Sequence, residues 1–209
     1  MIIRALEVGP LMVNCYIVGC EKTKLAAVID PGGDVRKILD IIKKENLTVK
    51  YIINTHGHFD HVSGNRKLKE ATDARLMIHS RDVPLLSTVA SSAGVWGLKG
   101  EDSPPPDQTL DDGDTVSFGE ITLNVIHTPG HSPGGISLYT DKCVFVGDTL
   151  FAGSMGRTDF PGGNFNTLIS SIQKKLFVLG DDVRVLPGHG PETTIKREKQ
   201  FNPFCGEGR

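Results

Sequence analysis

Three imidazoles and a carboxylate fall within six consecutive positions, His56-Gly57-His58-Phe59-Asp60-His61. Across Thr55 they follow Val49-Lys50-Tyr51-Ile52-Ile53-Asn54, an apolar run that reads as a short buried strand. Imidazole nitrogen and carboxylate oxygen are ligands that zinc, iron and manganese all accept. The end of a strand is where open α/β folds place ligands. Three more candidates stand in similar frames: His131 in Thr128-Pro129-Gly130-His131, Asp148 in Val146-Gly147-Asp148-Thr149, and His189 in Leu186-Pro187-Gly188-His189. Each follows an apolar, strand-like run. The number, order and context of these side chains point to a two-metal hydrolytic site. The other two histidines are weaker candidates. His79 reads as a polar strand end, and His127 as either that or a hydrogen-bond partner for a ligand imidazole.

The elements that must position these groups follow from periodicity and turn chemistry. Strands are expected over Ile2–Val8, Asn14–Val18 and Ala26–Ile29. Asp34 is placed to cap a helix whose apolar positions Val35, Ile38, Leu39 and Ile42 recur at helical spacing, with Asn46 closing it. A helix from His61 or Ser63 to Ala71, a strand Arg75–His79 and a helix capped by Ser80 through Leu86 come next. Residues 90–108, with Trp96 and the run Pro104-Pro105-Pro106, read as one long surface loop that contributes substrate contacts. Strands Thr115–Phe118 and Ile121–His127 precede a hairpin of Gly135–Thr140 and Lys142–Val146 turning through Asp141. A helix over Asn166–Leu179 and a strand Val183–Leu186 complete the pattern. The charged tail from Glu192 reads as a segment that frays or docks weakly. The two halves share one order of elements, which predicts two βα layers packed sheet to sheet with the ligands meeting at one edge.

Composition narrows the function classes. In 209 residues the hydrophobic fraction is 38%, with 24 Gly and 12 Pro, as in a globular α/β protein. A net charge of −2 supplies no basic field for nucleic acid or anionic lipid. No apolar stretch approaches the roughly 18 residues of a membrane helix, and Met1–Glu7 lacks the features of a signal peptide. Cys15, Cys20, Cys143 and Cys205 form no C-x-x-C pair, so a reducing, cytoplasmic setting is expected, with a Cys15–Cys20 disulfide left open.

The pattern H-x-H-x-D-H, then His131, Asp148 and His189, resembles the metallo-β-lactamase superfamily across nearly the whole chain. The resemblance implies an α/β fold, an αβ/βα four-layer sandwich of two mixed sheets with helices on the outer faces, as one domain over 1–209. It also implies a ligand assignment. His56, His58 and His131 hold one divalent metal, Asp60, His61 and His189 hold a second, and Asp148 bridges them. Zinc is the expected ion, with iron and manganese compatible.

The segment Gly147-Asp148-Thr149-Leu150-Phe151 with Gly156-Arg157-Thr158-Asp159-Phe160 is similar to the glyoxalase II group. That likeness implies a cytoplasmic thioester hydrolase acting on a small molecule such as S-D-lactoylglutathione through a metal-bridging hydroxide, with Asp60 as the catalytic carboxylate. Arg157 occupies the place where that group uses a basic residue near glutathione; a salt bridge to Asp159 is the competing role. Full-length members carry a helical C-terminal glutathione-binding domain, for which 1–209 leaves no room, and no tyrosine follows His189. A persulfide dioxygenase, with one iron on His56, His131 and Asp148, is the alternative from another reaction class. A non-catalytic metal-binding module is the third reading.

Overall fold

A computed structural model describes residues 1–140 and 142–207. Strands β1 (Ile2–Val8), β2 (Val13–Gly19), β3 (Leu25–Ile29), β4 (Thr48–Ile53), β5 (Arg75–His79) and β6 (Gln108–Leu110) form one sheet in that order. Its first three strands pair antiparallel and the rest parallel. The second sheet runs β14 (Thr193–Thr194), β13 (Arg184–Pro187), β10 (Cys143–Gly147), β9 (Ile136–Tyr139), β8 (Ile121–His127), β7 (Thr115–Phe118). A two-stranded hairpin, β11 (Leu150–Phe151) and β12 (Ser154–Met155), stands apart. The expected turn residue between β9 and β10, Asp141, lies outside the described residues.

Alternation of side chains in the strands builds the layers. In β2, Tyr16 and Val18 face a core shared with Phe118, Leu123, Ile136, Leu138 and Phe145 of the second sheet. Cys15 and Ile17 face the other way, against Ile38, Ile42 and Leu68 of helices α1 (Val35–Lys44) and α3 (Asn65–Thr72). Val144, Val146 and Val185 pack outward on Leu168, Ile172 and Ile195. The result is the expected four-layer αβ/βα sandwich. Because β2 is covered on both faces, its seven residues are all buried, and after Asn14 its sequence runs apolar through Cys15-Tyr16-Ile17-Val18 rather than alternating.

Local details depart from the sequence reading where a tertiary contact outbids a local one. Asp34 stands at the start of α1 in a left-handed conformation, but its Oδ2 accepts from Gly9 N (3.0 Å) and does not cap the helix. Ser80 is not a cap either; His79 Nδ1 accepts from Arg81 N at 3.1 Å, and the segment Ser80–Thr88 with Pro84 inside it is a 3₁₀ helix. The helix expected from His61 to Ala71 is two helices, α2 (Phe59–Val62) and α3. The break falls at Ser63–Gly64, where Gly64 N donates to Pro31 O at 2.7 Å. The loop expected over 90–108 begins as helix α4 (Val89–Val95), which buries Val89 and Ala93. The helix expected to reach Leu179 is α5 (Phe165–Ser171) followed by one π turn over Ile172–Leu176. Cys15, Cys20 and Cys143 are buried free thiols and Cys205 is buried as well, and no helix among the described residues is long and apolar enough to cross a membrane.

The tail is the largest correction. It forms β14 and helix α6 (Ile195–Phe201), and Ile195, Glu198, Asn202 and Cys205 are all buried. These lie at helical spacing, but polar residues on the buried stripe hide the pattern from a hydrophobicity reading. Glu198 accepts from Gly153 N (2.9 Å), Thr193 Oγ1 (2.6 Å) and Asn202 Nδ2 (2.8 Å), and Asn202 Nδ2 also donates to Ser154 O (2.9 Å). The tail thereby grips the β11–β12 hairpin that links Asp148 to Arg157. Glu198→Ala orphans these donors and should cost about 2–4 kcal/mol, read as a lower urea midpoint at unchanged slope. A loss under about 0.5 kcal/mol would mean that water replaces the carboxylate freely.

Candidate metal centre

β4 and β3 run parallel in the first sheet, and β8, β10 and β13 share one direction in the second. Their carboxyl ends therefore gather Thr55–His61, His131, Asp148 and His189 at one edge of the sandwich. Ligand atoms of His56, His58 and His131 lie within 4.8 Å of one another, and so do those of Asp60, His61 and His189. Asp148 stands between the triads: its Oδ1 is 3.3 Å from His61 Nε2, and its Oδ2 is 3.6 Å from His131 Nε2 and 3.7 Å from His189 Nε2. All seven residues singled out as metal ligands thus converge.

The fit to cations can be judged from the atoms left over. His56 Nε2, His61 Nε2 and Asp148 Oδ1 are buried and make no hydrogen bond. Buried polar atoms without partners are costly and rare, and three facing one space call for a cation. Their outer atoms are held by the chain. His61 Nδ1 lies 3.0 Å from Asp30 Oδ2, which also accepts from Thr55 Oγ1 at 2.6 Å. Since that hydroxyl donates to Asp30, it accepts from His56 Nδ1 at 3.1 Å. His131 Nδ1 donates to Arg157 O at 2.7 Å. These partners place the protons on Nδ1 and turn the lone pair of each Nε2 inward.

Charge divides the cluster: the first triad's His56 and His58 are driven neutral, and the second triad's His61 and His189 are driven toward the protonated form. Burial, with the neighbouring His131, pushes the His58 imidazole down to about 4. Burial and the charge of His61 likewise hold His56 well below its ordinary value. Burial alone would raise Asp148, but His61, His131 and His189 together outweigh it and hold the carboxyl well below the usual range. For His61, burial pulls down and the carboxylates of Asp148, Asp60 and Asp30 outweigh it upward. Ionised carboxylates and neutral imidazoles are the forms that bind metal, so His56, His58, Asp60 and Asp148 already stand in that form, whereas His61 and His189, both raised by their carboxylate neighbours, must yield a proton to an ion at the second triad.

Two carboxylates that carry no motif complete the site. Asp30 ends β3 beside the histidine loop, with Oδ1 accepting from Thr55 N at 2.7 Å. Asp82, fully buried in the 3₁₀ segment, accepts from Gly57 N (2.9 Å), Ser132 Oγ (2.7 Å) and Gly134 N (2.6 Å). It ties the His56–His58 turn to the His131 loop. Gly57 is needed here for space rather than for a positive φ: a Cβ would stand 2.7 Å from Leu85 Cβ and 2.9 Å from Asp82 O. Asn14 pins the His189 loop, its Nδ2 donating to Pro187 O (3.0 Å) and Gly190 O (2.8 Å). Asp30 alone had a readable signal, standing at the end of a strand parallel to β4.

Arg157 binds Asp159 through two hydrogen bonds, Nε to Oδ1 (2.7 Å) and Nη2 to Oδ2 (2.6 Å), and its guanidinium lies 4.0 Å from the Phe160 ring centroid. Phe160 in turn meets His58, with ring centroids 5.4 Å apart. His79 and His127 stack on each other at 4.2 Å and bond no ligand imidazole; His127 Nε2 pairs with Pro133 O at 3.0 Å.

The sequence model of the metallo-beta-lactamase superfamily matches residues 8–189. The chain is 37% identical to hydroxyacylglutathione hydrolase GloC of Haemophilus influenzae over 208 residues, 98% of each protein. It superposes on the BLEG-1 B3 metallo-beta-lactamase with a TM-score of 0.91 at 34% identity, covering 98% of this chain and 99% of that one. On TTHA1623 in a di-iron-bound form the TM-score is 0.88 at 38% identity, covering 96% and 99%. With the fold, the matched span and these relatives in agreement, the chain belongs to the metallo-beta-lactamase superfamily.

Proposed function

We propose that this protein is a dinuclear metal hydrolase that cleaves thioesters of small thiol carriers, with S-D-lactoylglutathione as the representative substrate. The observation that carries the reading is the pair of triads sharing Asp148, an arrangement built for two ions rather than one. His56, His58 and His131 would hold one ion, Asp60, His61 and His189 the other, and Asp148 both. When bound, such ions polarise a carbonyl and make water nucleophilic near neutral pH. The ion identity follows from neither donor set, since zinc, iron and manganese accept both.

The chain's own residues supply the rest. Asp60 Oδ2 lies 3.3 Å from His189 Nε2, which leaves a carboxylate oxygen at the second triad to orient the attacking water. A thiol leaving group with a pKa of about 8.5 departs as thiolate without an assisting acid, and the seven residues include no group free for that task. Arg157 Nη1 is left over from the Asp159 pair and is available to a substrate carboxylate. A thioester substrate is favoured by the likeness to GloC over nearly all of both chains. The one-iron alternative on His56, His131 and Asp148 would leave Asp60, His61 and His189 converged without a task.

The test is hydrolysis of S-D-lactoylglutathione by the purified protein with free thiol as readout. Turnover that a chelator abolishes and added divalent metal restores is the expected result. Metal-loaded protein that releases no thiol from this or other carriers, while consuming oxygen with glutathione persulfide, would replace the hydrolase by the dioxygenase.

A further inference from the structure

A cavity of about 350 Å³ borders the second triad. Asp60 and Phe59 line it on the metal side, Pro10 and Gly33 come from the β1–β2 and β3–α1 turns, and Leu98 and Lys99 come from the segment after α4. The Trp96 ring stands 6.4 Å from that of Phe59, so this segment packs on the helix that bears Asp60.

The charges lining this cavity are unequal. Asp34 is satisfied, accepting from Gly9 N at 3.0 Å and pairing with Lys37 at 3.3 Å. Lys99 is the only cation among the described lining residues, is exposed, and makes no ion pair or hydrogen bond among the described residues. Arg157, whose carbonyl holds His131 of the first triad, does not line this cavity and has given two of its nitrogens to Asp159. A free ammonium beside Phe59, Leu98 and Pro10 suits an anion on a partly apolar stem. The reacting carbonyl must sit at the metal centre, and the cavity is far larger than a lactoyl-sized acyl group needs.

We propose that this cavity seats the thiol carrier and that Lys99 binds a carboxylate of that carrier. This rests on the thioesterase reading and gives the carrier a second cation, beside the second triad, in addition to the free nitrogen of Arg157. Lys99 is then a binding residue that sets which carriers are accepted, with no part in the bond-breaking step.

The probe is S-methylglutathione, a thioether that cannot be hydrolysed, compared with its dialkyl ester, which lacks both carboxylates. Trp96 is the only tryptophan and is 50% exposed, so its fluorescence reports binding, with equilibrium dialysis as the reference measurement. Lys99→Met should weaken S-methylglutathione about fivefold, the size expected of one solvent-touching ion pair. Lys99→Arg should restore binding, and the ester should bind wild type and Lys99→Met alike. The advantage of the free acid should shrink as salt is raised. Equal affinity of wild type and Lys99→Met for S-methylglutathione, or no saturable binding to the wild type, overturns the proposal. Thioester hydrolysis is scored separately. Turnover with an indifferent Lys99 removes this subsite and keeps the hydrolase, whereas Lys99-dependent binding without turnover does the reverse.

Discussion

Asp60→Ala should leave a folded protein whose turnover has fallen on the order of 10³-fold and which holds one metal ion fewer per chain. The Asp60 carboxylate makes its polar contacts with imidazoles, 3.3 Å from His189 Nε2 and 3.7 Å from His61 Nε2, so its loss cuts no backbone hydrogen bond. Burial alone would raise its pKa, but His61 and His189 outweigh burial and keep it ionised. Alanine thus removes a charged ligand from the second triad and the oxygen placed to orient water. The first triad keeps all three nitrogens and the shared Asp148. Elemental analysis should therefore show a drop of one ion rather than a metal-free protein, with an unchanged near-ultraviolet circular dichroism spectrum. Wild-type turnover at one ion per chain would end the two-metal reading and return attention to a single ion on His56, His131 and Asp148.

The parts of this molecule legible in its sequence are those where one kind of residue does one job. The convergence of the seven candidate ligands could be read because histidines and aspartates follow apolar strands at fixed local frames, and parallel strand ends then bring them together. The sandwich could be read because strands and helices alternate in matching order in both halves. Where a residue serves a distant partner, reading failed. Asp34 looks like a helix cap and instead holds Gly9, while His79, not Ser80, opens the 3₁₀ segment. Gly57 leaves the space into which Leu85 and the Asp82 carbonyl pack, a contact with residues some 25 positions away. Helix α6 was hidden because its buried stripe carries Glu198 and Asn202, whose partners on the β11–β12 hairpin lie more than forty positions earlier in the chain. Asp82 stands three residues past the end of β5, inside the 3₁₀ segment and with no candidate ligand beside it, so no motif marks it as part of the metal site.

That makes Asp82 the sharpest test of how the site is held. Its two oxygens serve three donors: Oδ2 takes Gly57 N and Ser132 Oγ, and Oδ1 takes Gly134 N. Asp82→Ala leaves two backbone N–H groups and a hydroxyl without acceptors in a place that water does not reach, as Asp82 is 0% exposed. At about 1–3 kcal/mol for each orphaned group, partly relieved by rotation of the hydroxyl, the expected loss is about 3–5 kcal/mol, or roughly 10 °C in Tm. Asp82→Asn separates charge from geometry. If its carbonyl faces Gly134, the amide meets Gly57 N–H; if it faces Gly57, the amide meets Gly134 N–H. Ser132 can turn to suit either, but one backbone donor is orphaned in both, so Asn should cost about 1–3 kcal/mol. The order wild type, Asn, Ala should appear in metal affinity as well. Among the described residues outside the ligand set, Asp82 is the side chain bonded to both the His56–His58 turn and the His131 loop, so releasing it lets the three nitrogens of the first triad drift apart. A protein that loses stability in this order while keeping its metal affinity would show that the loops hold their ligands unaided, and that Asp82 serves the fold alone.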